Sequence, residues 1–144
     1  MTQTTVTTMI DAPIAKVFPL IADGSKNVNV VPHITKVEYL SEQTTGVGAK
    51  FRETRLMNGR ESTTELEITE YVENEMVRFI ADEGGTIWDS LFTFSEENGQ
   101  TRMKLVMEAR AYKFMAKIFN PLIKGMVKKA IESDMQAVKA YCES

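Results

Sequence analysis

Between residues 34 and 109 the chain alternates with a period of two, and from 115 onward its apolar residues recur every three or four. That switch leaves few architectures open. Six segments, near 34–42, 48–57, 61–72, 75–82, 86–96 and 100–109, carry the alternation. Turn signals separate them: Thr45-Gly46, Asn58-Gly59, Glu73-Asn74, Gly84-Gly85 and Asn98-Gly99. Short strands at this spacing predict an antiparallel meander. The alternation also assigns faces. Phe51, Glu53 and Arg55 oppose Lys50, Arg52 and Thr54; Leu66 and Ile68 oppose Thr63, Glu65 and Glu67. Val77, Phe79 and Ala81 share a side, as do Trp88, Ser90, Phe92 and Phe94, and Met103, Leu105 and Met107. A sheet with one apolar face needs a cover.

The C-terminus supplies it. Met115, Ile118, Phe119, Leu122, Ile123, Met126, Val127, Ala130, Ile131, Met135 and Val138 follow helical spacing. Asn120-Pro121 inside the pattern predicts a restart, with Asn120 as N-cap and Pro121 as first helical residue. A helix from there to about 142 would be roughly 33 Å long, enough to cross the sheet. At the other end, the Thr- and Val-rich first ten residues predict a strand. Pro13 marks a helix start with Val17, Leu20 and Ile21 facing inward, and Pro19 predicts that this helix is kinked or very short. Ser25 can cap a second short helix that ends before Pro32.

Composition narrows the chemistry. The 144 residues, 43% hydrophobic and 26% charged, suit one globular domain over 1–144. Seventeen Lys and Arg against 20 Asp and Glu give −3, so general nucleic-acid binding has no electrostatic support. With His33 the sole histidine and Cys142 the sole cysteine, no disulfide, metal cluster or two-histidine catalytic scheme is expected. Neither a phosphate-binding glycine loop nor any other cofactor motif is read. No integral membrane segment and no signal peptide are seen, so a cytoplasmic location is expected.

The order of elements, an α+β pattern of strand, two short helices, meander and long C-terminal helix, resembles the helix-grip fold. The sequence is similar to the bacterial polyketide cyclase/dehydrase-like branch of the superfamily that includes the START lipid-transfer domains and the birch pollen allergen. The resemblance is carried by Ile10-Asp11-Ala12-Pro13 with Val17-Phe18 and Ala22-Asp23, and by the run Gly46-Val47-Gly48-Ala49-Lys50-Phe51-Arg52-Glu53-Thr54-Arg55. Gly59-Arg60, Glu70-Tyr71, Thr101-Arg102 and the ending Asp134-Met135 to Lys139-Ala140-Tyr141 follow in register. These are fold markers and include no catalytic signature. The resemblance implies a curved antiparallel sheet of about seven strands wrapped around the long helix, enclosing a cavity for lipids, sterols, quinones or polyketides.

On that footing Phe51, Arg55, Phe79, Trp88, Phe92, Met107, Phe119, Ile123 and Met126 are candidate ligand contacts, and the eight apolar ones could equally be plain core. Methionines expected inward (Met103, Met107, Met115, Met126) could fill or yield the space. Arg55 could fork onto a ligand carboxylate or enolate, or pair with Glu53 in a structural salt bridge at the open end of the sheet. Glu53 could orient a hydroxyl or act as a base. Ser90 is a minor polar candidate, and His33 stands near the expected pocket rim.

Residues 1–109 hold 10 basic and 17 acidic side chains, whereas 110–144 hold seven and three. The basic helix could touch anionic lipid transiently, or simply balance the acidic sheet. Three functions stay open. The first is a carrier or sequestering protein for a small hydrophobic ligand, as monomer or weak homodimer. The second is a cyclase or dehydratase in which Arg55 steadies an enolate and Glu53 moves a proton. The third is a protein-partner-binding module, which an exposed apolar patch would favour.

Overall fold

The computed structural model describes residues 2–57 and 59–144. The chain runs β1 (Thr2–Ile10), α1 (Ile14–Ala22), α2 (Gly24–Asn27), β2 (Ile34–Tyr39), β3 (Lys50–Met57), β4 (Arg60–Val72), β5 (Met76–Glu83), β6 (Thr86–Glu97), β7 (Gln100–Ala111) and α3 (Phe114–Glu143). The strands form one antiparallel sheet ordered β1-β7-β6-β5-β4-β3-β2. This is the helix-grip architecture the element order predicts, with six meander strands and β1 returning to pair with β7. Asn58 of the expected Asn58-Gly59 turn lies outside the described residues.

Two of the hairpins show why the turn residues are what they are. Asn98 and Gly99 have φ of 53° and 81°, and Gly84 and Gly85 have 61° and 84°. Two consecutive positive φ values make the tight hairpin turn whose twist matches the strands. Register shifts at Ile34/Lys36 and Ile68/Glu70 then bend the sheet so that its inner face is concave.

That face holds a line of rings. Tyr39, Phe51, Phe79 and Phe92 follow one another at centroid separations of 5.9, 6.0 and 6.0 Å, the last two edge to face. Phe18 of α1 closes one end of the core by meeting Tyr71 and Phe94 edge to face. Such pairs contribute about 0.5–1.5 kcal/mol beyond their burial. Asp23, rather than Ser25, caps α2: its carboxylate accepts from the Ser25 N–H (3.0 Å), the Ser25 hydroxyl (2.7 Å) and the Tyr39 hydroxyl (2.8 Å). The longer reach of Asp23 lets one side chain serve both the helix start and the sheet.

Pro121 departs from expectation: α3 is one helix of 30 residues that runs through it without a restart. α1 also contains its proline, Pro19, and ends after nine residues. In each case the residue four positions earlier, Ala15 or Lys117, is exposed, so the carbonyl that loses its partner belongs to the solvent side. Asn120 is not a cap. It is buried and donates to the Thr86 hydroxyl at 3.0 Å, tying α3 to β6.

The second half of α3 is held firmly. Ile131, Met135, Val138 and Cys142 are buried against the sheet and α1. Lys139 donates to the Met9 carbonyl, Lys16 to the Cys142 carbonyl, and the Asp11 N–H to Glu143. α3 packs chiefly along β1 and β7 and stands off the concave face of the farther strands, which leaves a gap between helix and sheet. Among the described residues no helix is long and apolar enough to cross a membrane.

Candidate functional site

The gap between α3 and the far strands is a cavity of about 440 Å³. Held dry and empty, a void that size would cost about 10 kcal/mol at ~24 cal/mol per Å³, comparable with a whole domain's net stability of about 5–15 kcal/mol. Solvent or a ligand must therefore fill it. Its walls favour a ligand, because the sheet contributes Phe51, Leu66, Phe79, Trp88, Phe92 and Met107 and α3 contributes Val127, Ile131 and Met135. Alternation positions the sheet residues: each projects from the concave side of its strand.

One polar cluster interrupts this lining. Arg55 donates through Nε to Glu53 at 2.8 Å and through both terminal nitrogens to Asp134 of α3, at 3.2 and 2.7 Å. Burial works against the charged guanidinium, but hydrogen bonds and fields from Asp134 and Glu53 outweigh it, so Arg55 stays a cation. Three of its donor directions are already used. A ligand carboxylate reaching for Arg55 would have to displace Asp134. Glu83 also lines the cavity, so its charged wall is three acids against one base. Among the described residues the second Glu53 oxygen, the Trp88 indole N–H and the Ser90 hydroxyl have no protein partner, and all three residues line the cavity.

The expected contacts divide cleanly. Phe51, Arg55, Phe79, Trp88, Phe92 and Met107 meet at the cavity, with Glu53 and Ser90 beside them. Phe119 and Met126 are 50% and 65% exposed and turn away from it, and Ile123 is half-buried outside its lining. Of the methionines, Met103 is fully buried and Met107 lines the cavity, whereas Met115 is exposed. The helix rotates about 100° per residue, so Phe119 and Met126 lie on a different side from Ile131 and Met135. The His33 ring is exposed and outside the lining; the His33 carbonyl accepts from the Leu56 N–H.

Asp134 is the site residue the sequence reading missed. It lies 79 positions from Arg55, yet it stands on the same helical stripe as Ile131, Met135 and Val138, and an acid on an inward stripe signals a cation opposite.

A bent antiparallel sheet gripping a long C-terminal helix around an apolar cavity defines the helix-grip class. Within that class, residues 1–143 match the polyketide cyclase/dehydrase and lipid transport family, and the chain belongs to it. Family and fold together are those of hydrophobic-ligand-binding and polyketide-cyclase-type proteins. Similar solved structures include the Zhui aromatase/cyclase from Streptomyces sp. R1128, at TM-score 0.80 and 16% identity over 99% of this chain and 93% of that one. Ara h 8.0201 gives 0.80 and 14% over 98% and 97%. A START superfamily protein from Mycobacterium smegmatis gives 0.79 and 12% over 98% and 97%. At such identities these likenesses establish the fold. A search of curated protein sequences finds no match.

Proposed function

We propose that this protein carries or sequesters a small hydrophobic molecule in the cavity between its sheet and α3, acting in the cytoplasm as a monomer or weak homodimer. The observation that carries the reading is the 440 Å³ space walled by Phe79, Trp88, Phe92 and Met107. Burial there would drive binding, and the rings would favour a flat partner.

The charged cluster refines the ligand. With Arg55 held by Asp134 and Glu53, an incoming carboxylate meets net negative charge. A polar end that donates, such as a hydroxyl, phenol or amine, can pair with the open Glu53 oxygen. An acceptor on the same molecule suits the Trp88 N–H or the Ser90 hydroxyl.

A cyclase or dehydratase reading draws on the same cluster, with Glu53 as proton carrier beside a folded chain. It ranks second because the Arg55 donors meant to steady an enolate are already engaged.

Native mass spectrometry of freshly purified protein, followed by denaturing extraction, tests the carrier reading. The expected result is a defined hydrophobic adduct whose occupancy falls in Trp88→Ala. An adduct with unchanged occupancy in that variant would overturn the placement of the ligand.

A further inference from the structure

The first half of α3 carries an apolar face that the described residues leave uncovered. Phe114, Met115, Ile118, Phe119, Leu122 and Met126 are between 46% and 74% exposed. At about 100° per residue, these six share one arc of roughly 140°. The side that meets the sheet, marked by buried Ala116 and Asn120 and half-buried Val127, lies elsewhere on the circumference. Lys117, Lys124 and Lys128 form a third side along one edge of the apolar arc, and Lys129 sits at its end. No acidic residue occurs between Glu108 and Glu132. Six large exposed apolar side chains on one helix face form a patch of the kind that marks an interaction surface.

From this arrangement we infer that the first half of α3 docks on an anionic lipid surface. The apolar patch alone would also suit a protein partner, but the lysines along its edge, with no acid among them, select an anionic lipid surface. An apolar stripe edged by lysines lies in a bilayer interface with its side chains among acyl chains and its ammonium groups at the phosphates. Each lysine near such a surface adds about fivefold to partitioning. Exposed Tyr112, just before the helix, suits the same boundary. The strands and first helices, 10 basic against 17 acidic residues over 1–109, are repelled by the same surface, which orients the molecule α3 first. A second copy is a poorer partner, since a two-fold contact through this face would set the same cationic helix against itself. Docking does not depend on what the cavity holds. Val127 and Ala130, which line the cavity, belong to the same stretch of helix, so a docked molecule would hold its cavity wall at the membrane.

Vesicle flotation of the full chain tests this, with phosphatidylcholine vesicles and with the same vesicles containing one third phosphatidylglycerol. The docking account expects flotation with the anionic vesicles only, weakening as salt rises. Phe114→Ser/Leu122→Ser should abolish it, and Lys117→Gln/Lys124→Gln/Lys128→Gln should lower it about a hundredfold at fivefold per lysine. All five side chains are exposed, and circular dichroism with thermal melting will verify that both variants keep the parent fold. No flotation, or equal flotation with neutral and anionic vesicles, would overturn the inference. So would concentration-dependent dimerisation lost in Phe114→Ser/Leu122→Ser without flotation of the parent chain, because the face would then be a self-interface.

Discussion

Arg55 on β3 and Asp134 on α3 are joined by two hydrogen bonds, of 3.2 and 2.7 Å, that span the cavity from sheet to helix. Their side chains keep 27% and 24% of their exposure, so the pair is partly screened by solvent. Asp134→Ala should destabilise the fold by about 1–3 kcal/mol, chiefly by leaving Arg55 short of a partner. For a chain of this size that is a fall of about 2–10 °C in Tm. Arg55→Met/Asp134→Leu should lose less than Asp134→Ala. Thermal melting of the two variants checks the ordering, and equal losses would mean that the unpaired charge is not the cost.

The charge of the cavity wall predicts discrimination among ligands of one length. Decylamine, decanol and decanoic acid can each compete at pH 7 with a neutral fluorescent probe such as N-phenyl-1-naphthylamine. The amine and the alcohol should displace the probe at concentrations at least about tenfold below the acid, since like charges a few ångströms apart in a low-dielectric wall cost more than 1.4 kcal/mol. Glu53→Gln should weaken the amine and spare the alcohol. Displacement by the acid at the lowest concentration would show that Arg55 is released to the ligand.

Filling the cavity separates its binding role from its structural one. Ala130 lines it from α3 and is half-buried there. Ala130→Phe has room to enter without overpacking, so Tm should hold within a few degrees while probe binding falls at least tenfold. Retained binding would place the probe elsewhere.

Asp23 gives a pH signature. Burial pulls its carboxyl upward, but hydrogen bonds from Ser25 and Tyr39 outweigh that and hold it below its ordinary 3.8. The unfolded chain therefore takes up this proton first as pH falls, and the stability that Asp23 contributes above about pH 4 is lost as pH drops through the folded value. Asp23→Asn should be less stable than the parent at pH 7, with the difference in Tm shrinking below pH 4. A constant difference would rule out linkage at this carboxylate.

How much the sequence disclosed depended on which period was being read. In the strands, alternation with one buried side leaves no freedom, so Phe51, Phe79, Trp88, Phe92 and Met107 came out on the cavity face directly. In α3 the apolar positions from 115 to 138 look like one face but are two. Met115, Ile118, Phe119, Leu122 and Met126 look outward, whereas Ile131, Met135 and Val138 look inward. Spacing of three and four tells which neighbours share a side, but it drifts around the cylinder over several turns, and only the sheet's extent decides which arc is covered. Pro121 concealed the continuity of the helix for a related reason: propensity marks a boundary, and tertiary anchoring of Asn120 on Thr86 overrode it. The Arg55–Asp134 pair was invisible because no local rule connects a strand residue with one in the last helix.

The proposed seat of the hydrophobic ligand is against Trp88 inside the cavity, and Trp88 is the only tryptophan. Titrating the protein with N-phenyl-1-naphthylamine, whose absorption overlaps tryptophan emission, reports on that contact directly. The expected result is saturable one-to-one quenching of Trp88 with matching probe enhancement, both abolished by Ala130→Phe. Linear, unsaturable quenching that Ala130→Phe leaves unchanged would rule out a ligand seat at Trp88.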